Sequence, residues 1–458
     1  MNFGRVRHLH FVGIGGAGMC GLAEILQKEG LEVSGCDLAA SETTMRLSQL
    51  GVSCRLGHDP QHLAGVDVVV VSSAVSASNP EVQAAHQRGI PVIRRAEMLG
   101  EVSRLKWTVA VAGTHGKTTT TSLSGFILTQ AGLDPTVVVG GRVHFLGAHA
   151  RLGHSEFLVC EADEFDRSFL ALHPVIAVIT TVEAEHLDTY GTVAAMEEAF
   201  VEFANSVPFY GAVVACLDDP GVRRLLPHIR RRTLTYGFTS QADLSARLWE
   251  LTPQGARARL VFSGQELGEI SVPLFGRHGL SNAMAACAVA LEMGVPFSTI
   301  VQAVGSFSGV ARRFEIKGEV NGVTVVDDYA HHPTEVMATL QAAHQRFPGR
   351  RLVVVFQPHL FSRTQAFARE FGEALLEADV AFVLPIYPAR ESPIPGVTAQ
   401  LVVDAAKAAG HRRVEALPSL QEAAESLPQL LQPGDVLLTL GAGNVVELAN
   451  ALVRGGAV

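Results

Sequence analysis

Two short stretches of the sequence combine glycines, a lysine and hydroxyl residues at spacings that can hold phosphate. At residues 109–128 an apolar run, VAVAG, leads into THGKTTTT and then into a helical pattern. Gly113 and Gly116 permit a tight turn, Lys117 can neutralise β- and γ-phosphates, and the Thr118 hydroxyl can reach a bound Mg2+. A full P-loop asks for glycine at position 111, where the chain has Val111, so the pattern is a shortened one. A turn that merely caps a helix is the alternative. The stretch FVGIGGAGMCGLAEIL, residues 11–26, places Gly13, Gly15 and Gly18 in a GxGxxG pattern after a strand, and Asp37 ends the next strand. This dinucleotide fingerprint suggests NAD and a dehydrogenase. Its physical content is narrower: glycine backbone and a helix N-terminus near Ala17 can approach any pyrophosphate, and a tight turn without a ligand is again the alternative.

Other chemistry gathers at the ends of predicted strands, where ligands bind in open α/β sheets. CEADEFDRSFL (160–170) and TTVEAEHLDTY (180–190) offer Glu161 and His186 to a magnesium shell, with Asp163, Glu164, Glu183 and Glu185 as loop acids that compete for the role or simply face solvent. Magnesium prefers oxygen, so His186 alone does not define such a site. DDYAHHPTE (327–335) brings Tyr329, His331 and His332, and FQPHLFSRT (356–364) brings His359 and Arg363. A guanidinium can take a carboxylate through two parallel hydrogen bonds, and an imidazole can accept a proton near neutral pH. Lone histidines at strand ends are more often structural, and no companion Cys or His spacing there supports zinc.

These residues need strands and helices to position them. The first hundred residues alternate apolar segments (HLHFVGIG, LEVSGCD, VDVVVVSSA, IPVIRRA) with helical patterns, the signature of a parallel sheet with crossover helices. A second series contains WTVAVAG, EFLVCEAD, PVIAVITTV and GAVVACLDD. A third follows GVARRFE with GVTVVDD, RLVVVFQP, DVAFVLPIY and DVLLTLGAG. The expectation is three successive α/β units over residues 1–105, 106–312 and 313–458. A chain of 458 residues with 48% hydrophobic and 18% charged residues is globular and long enough for several cores. A formal net charge of −9 argues against a nucleic-acid surface, and Arg230 to Arg232 read as a solvated face. Six scattered cysteines without a CxxC pair imply reduced thiols in the cytoplasm, and none has an assigned role. The glycine-interrupted N-terminal segment does not read as an export signal, and no apolar run is long enough to cross a membrane.

The motifs GIGGAGM, AGTHGKTTTT, EADEFDRSFL, EAEHLDTY, GVARRFE, DDYAHHPTE, FQPHLFSRT and GAGN stand in the order found in the Mur ligases, which the chain resembles over essentially its whole length. GIGGAGM with DDYAHHPTE is similar to the alanine-adding branch and to its murein-peptide-ligase relative. The resemblance implies a Rossmann-like unit for a UDP-sugar, a P-loop ATPase-like unit and a C-terminal Rossmann-like unit for the amino acid. It implies two cradles because there are two nucleotides: Gly13, Gly15, Gly16, Ala17, Gly18, Asp37 and Ser73 for UDP-N-acetylmuramate, and Gly113, Thr114, His115, Gly116, Lys117, Thr118 and Thr119 for ATP. Thr118, Glu161 and His186 would take Mg2+, Arg313 the γ-phosphate from a domain junction, and Asn282 and Asp327 the adenine and ribose. Lys117, His186, Arg313, His331 and Arg363 would carry catalysis, and Tyr329, His332, His359 and Arg363 would line the L-alanine site. A monomer or homodimer without nucleic-acid or membrane partners is expected. Phe165, Thr181, Gly279, Ala330 and Leu360 depart from the family pattern, and no lysine lies between Gly191 and Asn205 for the carbamylated lysine of some members.

Overall fold

Runs such as Val68–Val71, Trp107–Ala112, Ile176–Ile179 and Val436–Leu440 are apolar almost throughout, as strands covered on both faces must be. The computed structural model describes residues 3–72, 74–143, 148–185, 187–389 and 391–455. Among these the strands form three sheets of five, ten and six strands.

The first sheet contains β1 (His8–Val12), β2 (Glu32–Asp37), β3 (Ser53–Leu56), β4 (Val68–Val71) and β5 (Val92–Arg94) in the order β3-β2-β1-β4-β5. Every pairing is parallel. The order reverses between β1 and β4, which opens a crevice outside their carboxyl ends, where Gly13 follows β1. In the second sheet β6 (Trp107–Ala112) lies between β9 (Phe157–Glu161) and β10 (Ile176–Ile179), parallel to both. Val111 faces Glu161 across one ladder and Ala112 faces Ile179 across the other, so the glycine-lysine loop emerges beside both acidic motifs. β7 (Thr136–Val143) and β8 (Ala148–Arg151) extend one side; β11 (Ala212–Cys216), β12 (Thr233–Gly237), β13 (Leu244–Thr252), β14 (Gly255–Phe262) and β15 (Gln265–Val272) extend the other.

The third sheet orders β16 (Glu315–Val320), β17 (Val323–Asp328), β21 (Val436–Leu440), β18 (Leu352–Phe356), β19 (Val380–Val383) and β20 (Val414–Ala416), with β16 alone antiparallel among the described pairings. Leu440 faces both Asp328 and Phe356, so DDYAHHPTE, FQPHLFSRT and GAGN leave the sheet side by side. Helices cover both faces: Val326, Val354 and Leu438 belong to one buried cluster and their neighbours Val325, Val353 and Leu437 to the other, as side chains alternating along a strand require.

The chain divides into two compact units. The first comprises Met1–Arg247, Arg259–Ile270 and Ser281–Ser308; the second comprises Leu248–Ala258, Ser271–Leu280 and Gly309–Val458. Within the first unit, a single apolar cluster runs from Leu9, Leu22 and Met98 around β1 to Val138, Phe169 and Phe203 around the second sheet. Gly100 permits this approach, since a Cβ there would collide with the Ala171 carbonyl. The two sheets expected to head separate units are thus packed together. Arg230 to Arg232 are exposed, with Arg232 paired to Glu292.

Candidate functional site

The loop after β6 is shaped by two glycines with left-handed backbone, Gly113 at φ 133° and Gly116 at φ 82°. A Cβ at Gly113 would collide with Thr180 Oγ1, and one at Gly116 with Asn282 Oδ1. The Thr114 N–H donates to the Thr181 carbonyl (2.9 Å), the His115 N–H to Thr181 Oγ1 (2.9 Å), and the Glu183 N–H to Thr114 Oγ1 (3.0 Å). Thr181, a departure from the family pattern, therefore latches the loop through its hydroxyl. The helix Lys117–Gln130 starts at Gly116 without a side-chain cap, and uncapped first-turn N–H groups such as those of Thr118 and Thr119 suit an anion.

Lys117 Nζ donates to both carboxylate oxygens of Glu164 at 2.8 Å and to the Gly113 carbonyl at 2.7 Å. Burial opposes the Lys117 charge, but Glu164 and the neighbouring acids outweigh it and hold the ammonium protonated. Burial pushes the Glu164 carboxyl up to about 7, although Lys117 pulls the other way. Tyr190, which ends the EHLDTY motif, donates to the Glu164 carbonyl at 2.6 Å and ties the two acidic motifs together. Glu161 stands at the end of β9, and Gly140 leaves room for it: a Cβ there would lie 2.9 Å from Glu161 Oε2. Thr118 is buried in the first turn of the helix Lys117–Gln130, and its hydroxyl and the Glu161 carboxylate are both oxygen donors of the kind magnesium takes. His186 and Ser73 lie outside the described residues, as does the side chain of Ala17.

The first glycine loop is held differently. The N–H groups of Gly13 (2.9 Å) and Ile14 (3.0 Å) donate to the Cys36 carbonyl, and that of Gly15 donates to Asp37 Oδ2 (2.8 Å). Asp37 thus folds back onto the loop, with its other oxygen on the Leu38 N–H (2.8 Å). The helix Ala17–Lys28 begins at Gly16 without a side-chain cap. Arg95, at the start of the helix following β5, lies over Gly18, where a Cβ would meet its Cδ and one terminal nitrogen at 3.1 Å. This cation beside a helix N-terminus escaped the sequence reading; its signal was the RRA that ends IPVIRRA at a strand's carboxyl end.

In the second unit Asp327 is fully buried and both oxygens are engaged, Oδ2 by Arg312 Nε (3.0 Å) and Oδ1 by the Thr439 hydroxyl (2.7 Å). Arg312 also donates to the Gly441 carbonyl (2.6 Å). Arg313 approaches Glu335 at 3.9 Å and stands over the Tyr329 ring at 5.2 Å. Both arginines are half-buried over Tyr329, and Arg312 ties β17 to the GAGN turn. His331 Nδ1 lies 3.0 Å from the Tyr329 carbonyl and 3.2 Å from Glu335, and its ring is 5.9 Å from that of His359. His359 stacks on Tyr387 and approaches Arg363 at 3.4 Å. These groups form one cluster at the sheet edge. His332 instead caps the helix Pro333–Arg346 and packs its ring on Phe367. Leu360 is buried at φ 70°, a strained value for a residue with a side chain, and begins the helix that carries the buried Arg363. Gln357 was not singled out from sequence, yet it accepts from the Val445 N–H (3.1 Å) and donates to Asn444 (2.9 Å), joining FQPHLFSRT to GAGN.

Burial pushes the Asp328 carboxyl from 3.8 up to about 6, against the pull of Arg313 and of the Phe314 and Ala330 N–H groups that it accepts at 2.7 Å. The folded chain then holds this proton more tightly than the unfolded chain. Its contribution to stability therefore falls as pH rises from about 4 to about 6, and a cost of ~3 kcal/mol is fully present above that window. Asp328→Asn is expected to flatten this slope in urea unfolding between about pH 4 and 7. An unchanged slope would show that another group carries it.

Family models match in series: "Mur ligase family, catalytic domain" over residues 8–107, "Mur ligase middle domain" over 111–290 and "Mur ligase, glutamate ligase domain" over 312–443. A UDP-N-acetylmuramate–L-alanine ligase from Geobacter sp. (strain M21) is 50% identical over 451 residues, covering 98% of each chain. A protein of the same name from Sorangium cellulosum is 51% identical over 454 residues, 99% of this chain and 96% of the relative. Among solved structures, a UDP-N-acetylmuramate-alanine ligase from Thermotoga maritima superposes with a TM-score of 0.82 at 27% identity over 98% of both chains. Cradles after β1 and β6 in the first unit, a histidine-arginine edge in the second and these matches along the whole length lead to one assignment: the chain belongs to the Mur ligase family.

Proposed function

We propose that this chain is an ATP-dependent ligase that joins L-alanine to the lactyl carboxylate of UDP-N-acetylmuramate, releasing ADP and phosphate, in cytoplasmic synthesis of peptidoglycan precursors. The observation that carries this reading is the pair of helices in the first unit that follow a glycine without a side-chain cap, one beginning with Lys117 and the other lying beside Arg95. The names of the relatives at about half identity agree with it. Two nucleotides need two cradles. A dehydrogenase needs only the first, and in this chain Asp37 is bonded to the loop itself.

A carboxylate resists attack by an amine because the leaving group would be oxide. An oxygen of the lactyl carboxylate therefore takes the γ-phosphoryl group as the bond to ADP breaks. The alanine amine attacks the acyl phosphate so formed and loses a proton, and the tetrahedral intermediate collapses as the carbon–oxygen bond to phosphate breaks. Charge stabilisation dominates such a transfer. Lys117 and the first-turn N–H groups hold the ATP phosphates, and Asn282, whose amide lies against Gly116, contacts the adenine. Arg95 and the helix at Gly16 hold the pyrophosphate of the sugar nucleotide. Thr118 and Glu161 would hold Mg2+, which supplies charge neutralisation at the phosphates. Arg313 offers a cation to the transferred group, Arg363 binds the alanine carboxylate, and His331, close to Glu335, accepts the amine proton.

The test measures phosphate release from ATP with and without UDP-N-acetylmuramate, and identifies the amide by mass spectrometry across alanine, serine, glycine and peptides. Release is expected to require the sugar nucleotide, and alanine is expected to give the amide. Equal ATP hydrolysis without the sugar nucleotide, or a product only with peptides, would overturn the assignment.

A further inference from the structure

Beneath the first glycine loop lies a cluster that the ligase chemistry does not use. His10 on β1, Cys36 on β2, His62 in the short helical turn Pro60–Leu63 and Glu81 in the first turn of the helix Pro80–Gln87 bring one nitrogen, sulfur or oxygen each to within 4.8 Å of one another. His10, Cys36 and Glu81 are at most 1% exposed. The Glu81 carboxylate is the hub: Oε2 lies 2.9 Å from Cys36 Sγ and 3.3 Å from His10 Nε2, and Oε1 lies 2.6 Å from His62 Nδ1. His58 Nδ1 stands 3.1 Å from the same sulfur.

We propose that His10, Cys36, His62 and Glu81 form a zinc(II) site, with His58 beside it as a reserve donor. Sulfur and imidazole nitrogen select zinc over magnesium or calcium, which take oxygen. A tetrahedral ion with bonds of ~2.0–2.3 Å spaces its donors by ~3.3–3.8 Å, a small adjustment from the distances seen. Charge also balances: one thiolate and one carboxylate neutralise the dication, so the buried site carries no net charge. The outer contacts fit. His10 Nδ1 lies 2.8 Å from Ser34 Oγ, itself 2.7 Å from His8 Nε2, and Glu81 Oε1 accepts the Asp59 N–H at 2.9 Å. Such partners orient ligands and fix the tautomer. On binding, the Cys36 proton leaves for solvent, and His10 keeps its proton at Nδ1, facing Ser34, so that Nε2 is free to ligate.

The site pins β1, β2, the turn Pro60–Leu63 and the helix Pro80–Gln87 from four points of the chain, and the Cys36 carbonyl is the acceptor that holds the Gly13 and Ile14 N–H groups. Zinc would thereby stiffen the floor of the first cradle.

The test uses the full chain without a histidine tag, stripped with a chelator and titrated with Co(II) and then Zn(II). One equivalent of Co(II) is expected to give a thiolate-to-cobalt charge-transfer band and strong tetrahedral visible absorption, both removed by Zn(II). Cys36→Ser is expected to lose the charge-transfer band, and His62→Asn to weaken zinc binding at least ~10-fold, with the fold of each checked by circular dichroism. His62 is only partly buried, so His62→Asn keeps the test informative where Cys36→Ser fails to fold. A weak six-coordinate cobalt spectrum in the unaltered chain, a charge-transfer band that survives Cys36→Ser, or equal zinc affinity in His62→Asn would overturn the proposal.

Discussion

Lys117→Ala is expected to lower turnover by ~10²–10³-fold, the ~2.7–4 kcal/mol that one electrostatic donor contributes to a transition state. The lysine sits at the start of an uncapped helix, in a loop whose two left-handed glycines allow no side chain. Negative charge shifts among phosphate oxygens during transfer, and a positioned ammonium meets it without reorganisation. Removing Lys117 also strips Glu164 of its cation. Because burial already pushes that carboxyl up to about 7, it can take a proton in place of the lysine, and the variant is expected to fold. Calorimetric titration with UDP-N-acetylmuramate is expected to show near-native binding, since the first cradle is built from other residues. A variant with near-native turnover would remove Lys117 from the phosphate site.

The second large effect is expected in the proposed amino-acid site. Arg363→Lys keeps the charge but loses the planar fork that matches two carboxylate oxygens. The apparent KM for L-alanine is expected to rise ~10–100-fold, while those for ATP and UDP-N-acetylmuramate stay nearly unchanged. Leu360 sharpens this expectation: it is buried and apolar at the start of the same helix, so it offers no second cation. If all three constants moved together, Arg363 would serve another step and the alanine carboxylate would be held elsewhere.

The legible parts of the fold were the central strands. VVVV, WTVAVA, IAVI and VLLTL are covered on both faces almost throughout, and such burial leaves little room for polar residues. The strands that escaped the reading lie toward the sheet margins. Ser53–Leu56 has no buried residue, Glu315–Val320 reads EIKGEV, and Gly255–Phe262 alternates arginine with apolar residues. Solvent on one face permits polar side chains, and the apolar signal fades. In the candidate site, the glycines and the lysine were legible as a tight strand-to-helix turn, because left-handed backbone at Gly113 and Gly116 admits few residue types. Arg95, Gln357 and Tyr387 were not, because their work depends on which strand ends the topology brings together. Cys36 and His62 were hidden for the same reason: their partners in one cluster lie up to 71 positions apart along the chain, as His10 and Glu81 do.

The apolar cluster shared by the first two sheets has a consequence for how this chain can change over time. Both proposed nucleotide cradles rest on one packed interior, closed where Gly100 meets Ala171. A substitution that enlarges or loosens that interior cannot be confined to one nucleotide, since close-packed interiors transmit strain. Inherited variation that tunes affinity for the sugar nucleotide should therefore arise at the loops, at positions such as Arg95 and Asp37. The interior between the sheets is left to vary only in concerted sets of compensating residues.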